Sequence, residues 1–511
     1  MSTVPWLTII GAIPLAGAIV VVLLPNRPSV RAKAVSLGFS LLTLLVAILA
    51  ATQFKTSAGT QFQLVENHPW IPQFGVSYAL GVDGIALTLI LMSVILTPVC
   101  ILAAWHDVPD ESAQRQQNYL ALMLVLETFI VLVFSATDVF LFYVLFEGML
   151  IPVYFLIGSY GGARRQYASM KFLIFSLLGG LVMLVAVIAL FVQGPGGPDG
   201  FLVERLTGLA MDPMTERLLF VGFFFAFAVK APMWPVHTWL PDAATEAPPA
   251  TSVLLVGVLD KVGTYGMIRF CLQFFPEASR WATPVVIVLA VISILYGALV
   301  AIGQTDMMRL IAYTSVSHFG FIVLGIFALT STGGVGATLY MLNHGFTTAA
   351  LFLFVAMLVR RRGSKRIGDY GGWQRVTPNL AGVFLVAGLS GLALPGLGSF
   401  ASEFLVLAGT FQRYQGAAVI GSLGIIMAAL YILLMYKRTM TGPKPEGQEA
   451  VFDLTTRDKL VAAPLIAVFL VLGFYPKPAL DLITPAVRTT LAIVGVSDPP
   501  PSVEVTEGST K

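Results

Sequence analysis

Between residues 5 and 475 the chain is a succession of apolar runs, each close to the roughly 20 residues a helix needs to cross a bilayer. Few folds can accommodate such a pattern. A backbone crossing hydrocarbon must satisfy its own hydrogen bonds, which leaves helices or a closed barrel. The runs are continuous rather than alternating, so a barrel is excluded. Composition agrees, since 57% of the 511 residues are hydrophobic and 11% are charged, against about 25% charged in a soluble domain. The prediction is an all-α polytopic membrane protein.

Fourteen helices are expected, near 5–24, 32–52, 84–104, 119–136, 138–158, 169–193, 216–238, 250–271, 281–302, 308–329, 334–359, 379–412, 416–436 and 458–475. The first span lacks a basic leader and reads as a retained helix. An even number of spans puts both termini on one side. Nineteen of the thirty Lys and Arg residues, Arg27 and the cluster 360–366 among them, fall in loops that follow odd-numbered helices. The positive-inside rule makes those loops cytoplasmic and the termini non-cytoplasmic. Residues 476–511 turn rich in Pro, Ser, Thr and Glu, which predicts an exposed tail with a short interfacial helix at 484–496.

Several function classes drop out. The net charge of +3 is small and dispersed, with no basic face for nucleic acid. Cys100 and Cys271 stand alone in apolar runs, and two isolated thiols do not make a metal or iron–sulfur site. The loop GPGGPDG (194–200) joins two membrane helices rather than a strand and a helix, so it is no dinucleotide loop.

What remains is a set of ionisable residues deep in separate spans: Glu127, Glu147, Lys230, Lys261, His318, His344 and Glu403. Each costs about 2.5–3.5 kcal/mol at a bilayer centre. Together they exceed the net stability of a whole domain unless they pair or meet water. One such residue is explained by a structural ion pair. A set of both signs at one depth points to charge transfer. Lysine suits proton traffic because burial lowers its pKa and a nearby carboxylate raises it, whereas arginine holds its proton. Arginine is expected only in the loops. Thr314 and Ser315 precede His318 by one turn, and Thr347 and Thr348 follow His344 by one turn. That spacing puts hydroxyls on each histidine's own face.

Two of the spans are broken. Pro232, Pro235 and Pro241 follow Lys230, and LPGLGS (394–399) precedes Glu403. Freed backbone groups at membrane depth are tolerated only beside protein or water, and matched broken helices in two halves of a chain mark transporter repeats. Residues 119–271 and 281–436 each hold five helices with the fourth broken. Five is odd, so the second repeat runs inverted. Residues 1–118 precede the repeats, with helices 1–3, and 437–511 follow them, with the last span and tail.

The stretch KAPMWPVHTWLPDAATEAPPATSVLLVGVLDKVGTYGMIRF (230–270) resembles the signature of the antiporter-like, proton-conducting membrane subunits of respiratory complex I and their relatives. FGVSYALGVDGIAL (74–87), DVFLFYVLFEGMLIPVYFLIG (138–158), RLIAYTSVSHFG (309–320) and LPGLGSFASEFL (394–405) resemble further blocks in the family's order. Within the family one subunit type carries glutamate on the broken twelfth helix where others carry lysine, and this chain has Glu403 there.

The resemblance implies a bacterial plasma-membrane subunit that moves protons, driven by electron transfer from NADH to quinone in partner subunits. FMN, iron–sulfur clusters and quinone would belong to the parent assembly and no cofactor to this chain. The partners implied are other membrane-arm and peripheral-arm subunits and membrane lipid. Glu147 and Lys230 become the coupling pair of the first half, with Lys171 a second partner for Glu147. Lys261 becomes the bridge, His318 and His344 the central relay, and Glu403 the terminal residue. His237, on the broken helix, is a supporting residue. Ala244, Met308 and Phe146 replace a histidine, a lysine and a tryptophan common in the family. A multisubunit sodium/proton antiporter uses related chains and is the rival reading, with an inert scaffold the third.

Overall fold

The computed structural model describes residues 4–25, 30–57, 60–108, 113–445 and 451–500. Arg27 and the last part of the expected tail, 501–511, lie outside the described residues. The helices are α1 (Trp6–Leu23), α2 (Val30–Ala51), α3 (Gly84–Ala103), α4 (Ala113–Ser135), α5 (Val139–Gly148), α6 (Leu150–Tyr160), α7 (Arg165–Gln193), α8 (Pro213–Lys230) and α9 (Trp239–Glu246). They continue with α10 (Pro249–Phe274), α11 (Pro276–Ile302), α12 (Met307–Phe327), α13 (Ser331–Arg362), α14 (Pro378–Gly391), α15 (Gly398–Phe411), α16 (Gln415–Met440), α17 (Thr456–Phe474) and α18 (Lys477–Val494).

Among the described residues eleven helices are long and apolar enough to cross a membrane, or twelve if α17 and α18 count as one bent span. The expected fourteen exceed this for a physical reason. The seventh run ends at Lys230, where α8 already carries Glu216, Arg217 and Lys230. The twelfth is split into α14 and α15, of 14 residues each. Its break is real: Ala393 takes φ 57° and Gly396 φ 92° on either side of Leu394–Pro395.

Two expectations hold only in part, although the chain is mostly helical. The chain is not all-α, because β1 (Gln63–Ile71) and β2 (Val76–Val82) form an antiparallel hairpin. Residues 63–82 lie between spans, where a Pro72–Gly75 turn reverses the chain. β1 is largely exposed and β2 largely buried, so β2 lies inward and β1 covers it. The hairpin anchors helix ends: Leu7 and Thr8 donate their N–H to Glu66 at 2.7 and 3.3 Å, which satisfies orphan donors of α1. Ser77 N–H donates to Asp138 at 2.9 Å, and Asp138 also caps α5 through Leu141 N–H.

Nor is arginine confined to loops. Arg269 lies inside α10, 1% exposed, paired with Asp83, which also caps α3 through Ala86 N–H. The pair is possible because it sits near the end of the helix and closes on a cap.

The start of the expected tail is ordered as α18, which begins seven residues before the expected interfacial helix and is bent 70° from α17. It lies across the ends of α3 and α13, with Gly84 against the Leu482 carbonyl and Gly334 against Val487. A side chain at Gly84 would meet that carbonyl, so only glycine fits the crossing.

Burial sorts the helices. α10, α12 and α13 are enclosed on nearly all sides, while α1, α2, α7, α11 and α16 present a broad apolar face outward. The enclosed helices are also among the less apolar of the spans. In lipid a polar helix must be covered by protein, and these three carry Lys261, His318 and His344.

Candidate functional site

The site begins where α5 ends. Asp138 starts that helix and Glu147 is its next-to-last residue. The carboxylate lies against Gly180 of α7, so closely that a Cβ at 180 would collide with it. Lys230 closes α8, 1% exposed, with its Nζ 4.9 Å from the Phe146 ring centre and 5.7 Å from Phe172. Neither Glu147 Oε1 nor Lys230 Nζ makes a hydrogen bond. Each is the principal opposite charge acting on the other, but they are too far apart to form an ion pair. Aromatic faces offset part of the cost of the buried ammonium.

Lys171 does not turn to Glu147, contrary to expectation. Its Nζ pairs with Asp242 Oδ2 at 2.7 Å, and Arg309 Nη1 pairs with Asp242 Oδ1 at 2.7 Å. Asp242 stands on the short helix α9 just past the proline break. It ties α7 and α12 to the broken segment, and two cations on one carboxylate outcompete the more distant Glu147. His237, within the break, is buried with both ring nitrogens unbonded and its ring edge-on to Tyr296 at 5.0 Å.

The central part is hydrogen-bonded at every step but one. Lys261 Nζ lies 2.7 Å from His344 Nδ1 and donates to the Val256 carbonyl at 2.6 Å. Lys261 is flanked by two π-helical turns, Val253–Leu259 and Met267–Cys271, a backbone form that concentrates at functional sites. His344 Nε2 is 3.2 Å from Ser315 Oγ, and the rings of His318 and His344 are 5.3 Å apart. His318 Nδ1 is 2.5 Å from the Tyr340 hydroxyl, which donates to Glu403 Oε1 at 2.7 Å. A phenol has one proton. With that proton on the Glu403 bond, the Tyr340 oxygen accepts from His318 Nδ1–H.

The hydroxyls around the histidines divide. Thr314 and Ser315 both donate back to the Ile311 carbonyl, and the Ser315 oxygen also lies 3.2 Å from His344 Nε2, from which it accepts. Thr347 bonds Ser390 and Ser399 at the α14–α15 break. Glu127 is buried on α4 with neither oxygen hydrogen-bonded and stands apart from the chain of contacts.

Four residues were not singled out from the sequence: Tyr340, Asp242, Asp260 and Arg269. Tyr340 lies four residues before His344, on the same helix face, and that signal was present. Asp260, adjacent to Lys261 in an apolar run, was equally visible. The partners of Asp242 depend on three separate helices. In the contact series Lys261–His344–His318–Tyr340–Glu403 every member can both give and take a proton, and every step but the one between the two histidine rings is a hydrogen bond. Among the described residues no cluster of three metal-ligating side chains exists.

A family profile described as NADH:quinone oxidoreductase/Mrp antiporter, TM, matches residues 136–428, and one described as NADH-ubiquinone oxidoreductase chain 4, amino terminus, matches 34–133. NADH-quinone oxidoreductase subunit M of Mycobacterium tuberculosis is 50% identical over 98% of this chain and 97% of its own. The subunit M of Rhodobacter capsulatus is 40% identical over 94% and 95%. A chain of respiratory complex I from Thermus thermophilus superposes with a TM-score of 0.87 at 29% identity, covering 96% of this chain and 100% of that one. A chain of the Mrp complex from Dietzia shares the fold, with a TM-score of 0.84 at 23% identity over 97% and 100%.

Proposed function

The chain belongs to the transmembrane family shared by NADH:quinone oxidoreductase and the Mrp antiporters, and from that premise we propose how it moves protons. It is a multi-pass membrane subunit of complex I, of the subunit M type, and a member of a proton-translocating NADH:quinone oxidoreductase. The other subunits of that complex are its partners. FMN, iron–sulfur clusters and quinone would serve the electron-transfer subunits, and the two cysteines of this chain are too few to ligate an iron–sulfur cluster. The 50% identity to subunit M outweighs the Mrp likeness, which is one of fold.

In our reading Glu147 and Lys230 form the input, and Lys261, His344, His318, Tyr340 and Glu403 form the output. The observation that carries it is the contact series from Lys261 to Glu403, hydrogen-bonded at every step but one, the His344 and His318 rings being 5.3 Å apart. Because Glu147 and Lys230 are close enough to feel each other but not bonded, a small displacement changes their interaction strongly. Electron transfer elsewhere would supply that displacement. Moving the carboxylate away from Lys230 frees the lysine's proton, which then travels toward Lys261. His237 and the Lys171–Asp242–Arg309 cluster would serve the entrance, and Glu127 a supporting role. The two broken segments complete fourteen crossings arranged as inverted repeats at 119–271 and 281–436. In that arrangement both termini are non-cytoplasmic, in a bacterial plasma membrane.

Glu147→Gln and Lys230→Ala, in the assembled complex in proteoliposomes, test the reading. Both are expected to lower the protons moved per NADH. Wild-type stoichiometry in both variants would overturn the proposed axis.

A further inference from the structure

Between the input and the output lies a buried carboxylate that neither uses. Asp260 on α10 is 0% exposed, and neither of its carboxylate oxygens has a hydrogen-bond partner. An ionised carboxylate left so would cost several kcal/mol, so its placement calls for a reason.

Its direction supplies one. Neighbouring residues on a helix point to different sides. Lys261 turns to His344 on α13. Asp260 shares its face with Gly263, one turn on. A Cβ on Gly263 would stand 2.6 Å from Ala231 N and 2.7 Å from the Phe227 carbonyl, at the C-terminal end of α8. That end carries Lys230, whose Nζ is likewise unbonded. Lys230 and Lys261 are the cations whose charge acts on Asp260. The dipeptide Asp260–Lys261 thus faces two ways, the acid toward the input lysine and the amine toward the relay. The π turn Val253–Leu259 ends at Asp260, whose N–H donates to the Leu255 carbonyl at 3.1 Å. The extra residue in that turn shifts the helix face on which each side chain falls.

We propose that Asp260 is a proton-holding residue that joins the Lys230 half of the pathway to the Lys261–His344 half. The inference rests on the chain acting as a proton-moving subunit. When the Lys230 ammonium gives up its proton, the Asp260 carboxylate takes it, leaving a neutral amine and a carboxylic acid. The acid then gives the proton to the neutral amine of Lys261, restoring the carboxylate and forming the ammonium. No net charge is created. The protonated state also removes the cost of the unpaired buried charge.

The competing account is a fixed counter-charge for the two lysines, which would never exchange its proton. The stoichiometries of Asp260→Asn, Asp260→Glu and Glu147→Gln, each in the assembled complex in proteoliposomes, test whether pumping uses Asp260, and infrared difference spectra of turnover separate proton exchange from a fixed charge. Asp260→Asn is expected to lower the protons moved per NADH as Glu147→Gln does, and Asp260→Glu to recover most of the loss. A loss in Glu147→Gln with wild-type stoichiometry in Asp260→Asn overturns the role of Asp260 and leaves the axis standing. Wild-type stoichiometry in both overturns the axis as well. Infrared difference spectra of turnover decide between the two accounts, whether or not Asp260→Asn assembles. A carboxylic-acid band that shifts in Asp260→Glu supports proton exchange, and spectra in which no such band differs from wild type overturn it.

Discussion

The Tyr340 hydroxyl donates to the Glu403 carboxylate at 2.7 Å. That bond is the only direct link seen between the histidine pair and the last acid of the series among the described residues. Tyr340 comes from the enclosed helix α13 and Glu403 from α15, just past the broken segment. The break sets the phenol and the carboxylate at bonding distance, with Asn343 donating to the Gly398 carbonyl at 2.7 Å to hold the first turn of α15 in place.

Tyr340→Phe removes one oxygen and keeps the ring. Passage from His318 to Glu403 would then need another carrier, and a positioned proton-transfer group contributes on the order of 10²-fold or more. Dye-quench assays in proteoliposomes should show proton movement falling while the complex remains assembled. An unchanged initial rate of pumping would show that protons reach Glu403 by another route.

How much of this could be read from the sequence depends on how a residue betrays itself. Lys230, Lys261 and Glu403 stood out because a charge in an apolar run has a known cost. Tyr340 did not, because a tyrosine is ordinary in a membrane helix and its hydroxyl gains meaning only from His318 and Glu403. The hairpin 63–82 was overlooked because a search for spans passes over what lies between them. Lys171 was assigned the wrong partner, since Asp242 and Arg309 meet it only through tertiary folding. Arg269 falls inside the expected span 250–271, but the Asp83 that neutralises it lies 186 positions away, so the sequence does not show what lets an arginine be buried there.

Gly180 is required by the site rather than by the backbone. Gly180→Ala puts a methyl where the Glu147 carboxylate lies, and forcing an extra methyl into a packed site typically costs about 1–3 kcal/mol. The carboxylate must move, so pumping should fall although every titrating group is intact. In a Glu147→Gln background the same change should add little further loss. If the two losses instead multiply, Gly180 acts independently of Glu147.

Breaking the Arg269–Asp83 pair should reduce stability rather than turnover. Both side chains are nearly fully buried, and removing one partner of such a pair costs about 3–5 kcal/mol. Asp83 also caps α3, so Asp83→Ala loses a cap worth about 1 kcal/mol in addition. Native gels of the membrane fraction should show less assembled complex for Arg269→Ala and less again for Asp83→Ala. Complex that does assemble should pump with normal stoichiometry, and a lowered stoichiometry would place the pair in the proton path.

Asp138 caps α5 just before the span Val139–Tyr160 begins and so provides a pH test outside it. Burial pushes its carboxyl up to about 6, although the Leu141, Ser77 and Phe140 N–H groups favour the ionised form. The folded state therefore holds the proton more tightly than the unfolded chain, whose carboxyl titrates near 3.8. The stabilising contribution is complete below the unfolded value and is lost as pH rises through about 6. A shift of about two units corresponds to about 3 kcal/mol. Asp138→Asn keeps one acceptor for the cap of α5 but cannot ionise. It also loses an acceptor for Ser77, at about 1 kcal/mol. Relative to wild type, the variant's thermal stability should rise between pH 4 and pH 7 and then level off. A difference that stays flat across that range would mean that Asp138 titrates alike in the folded and unfolded chains.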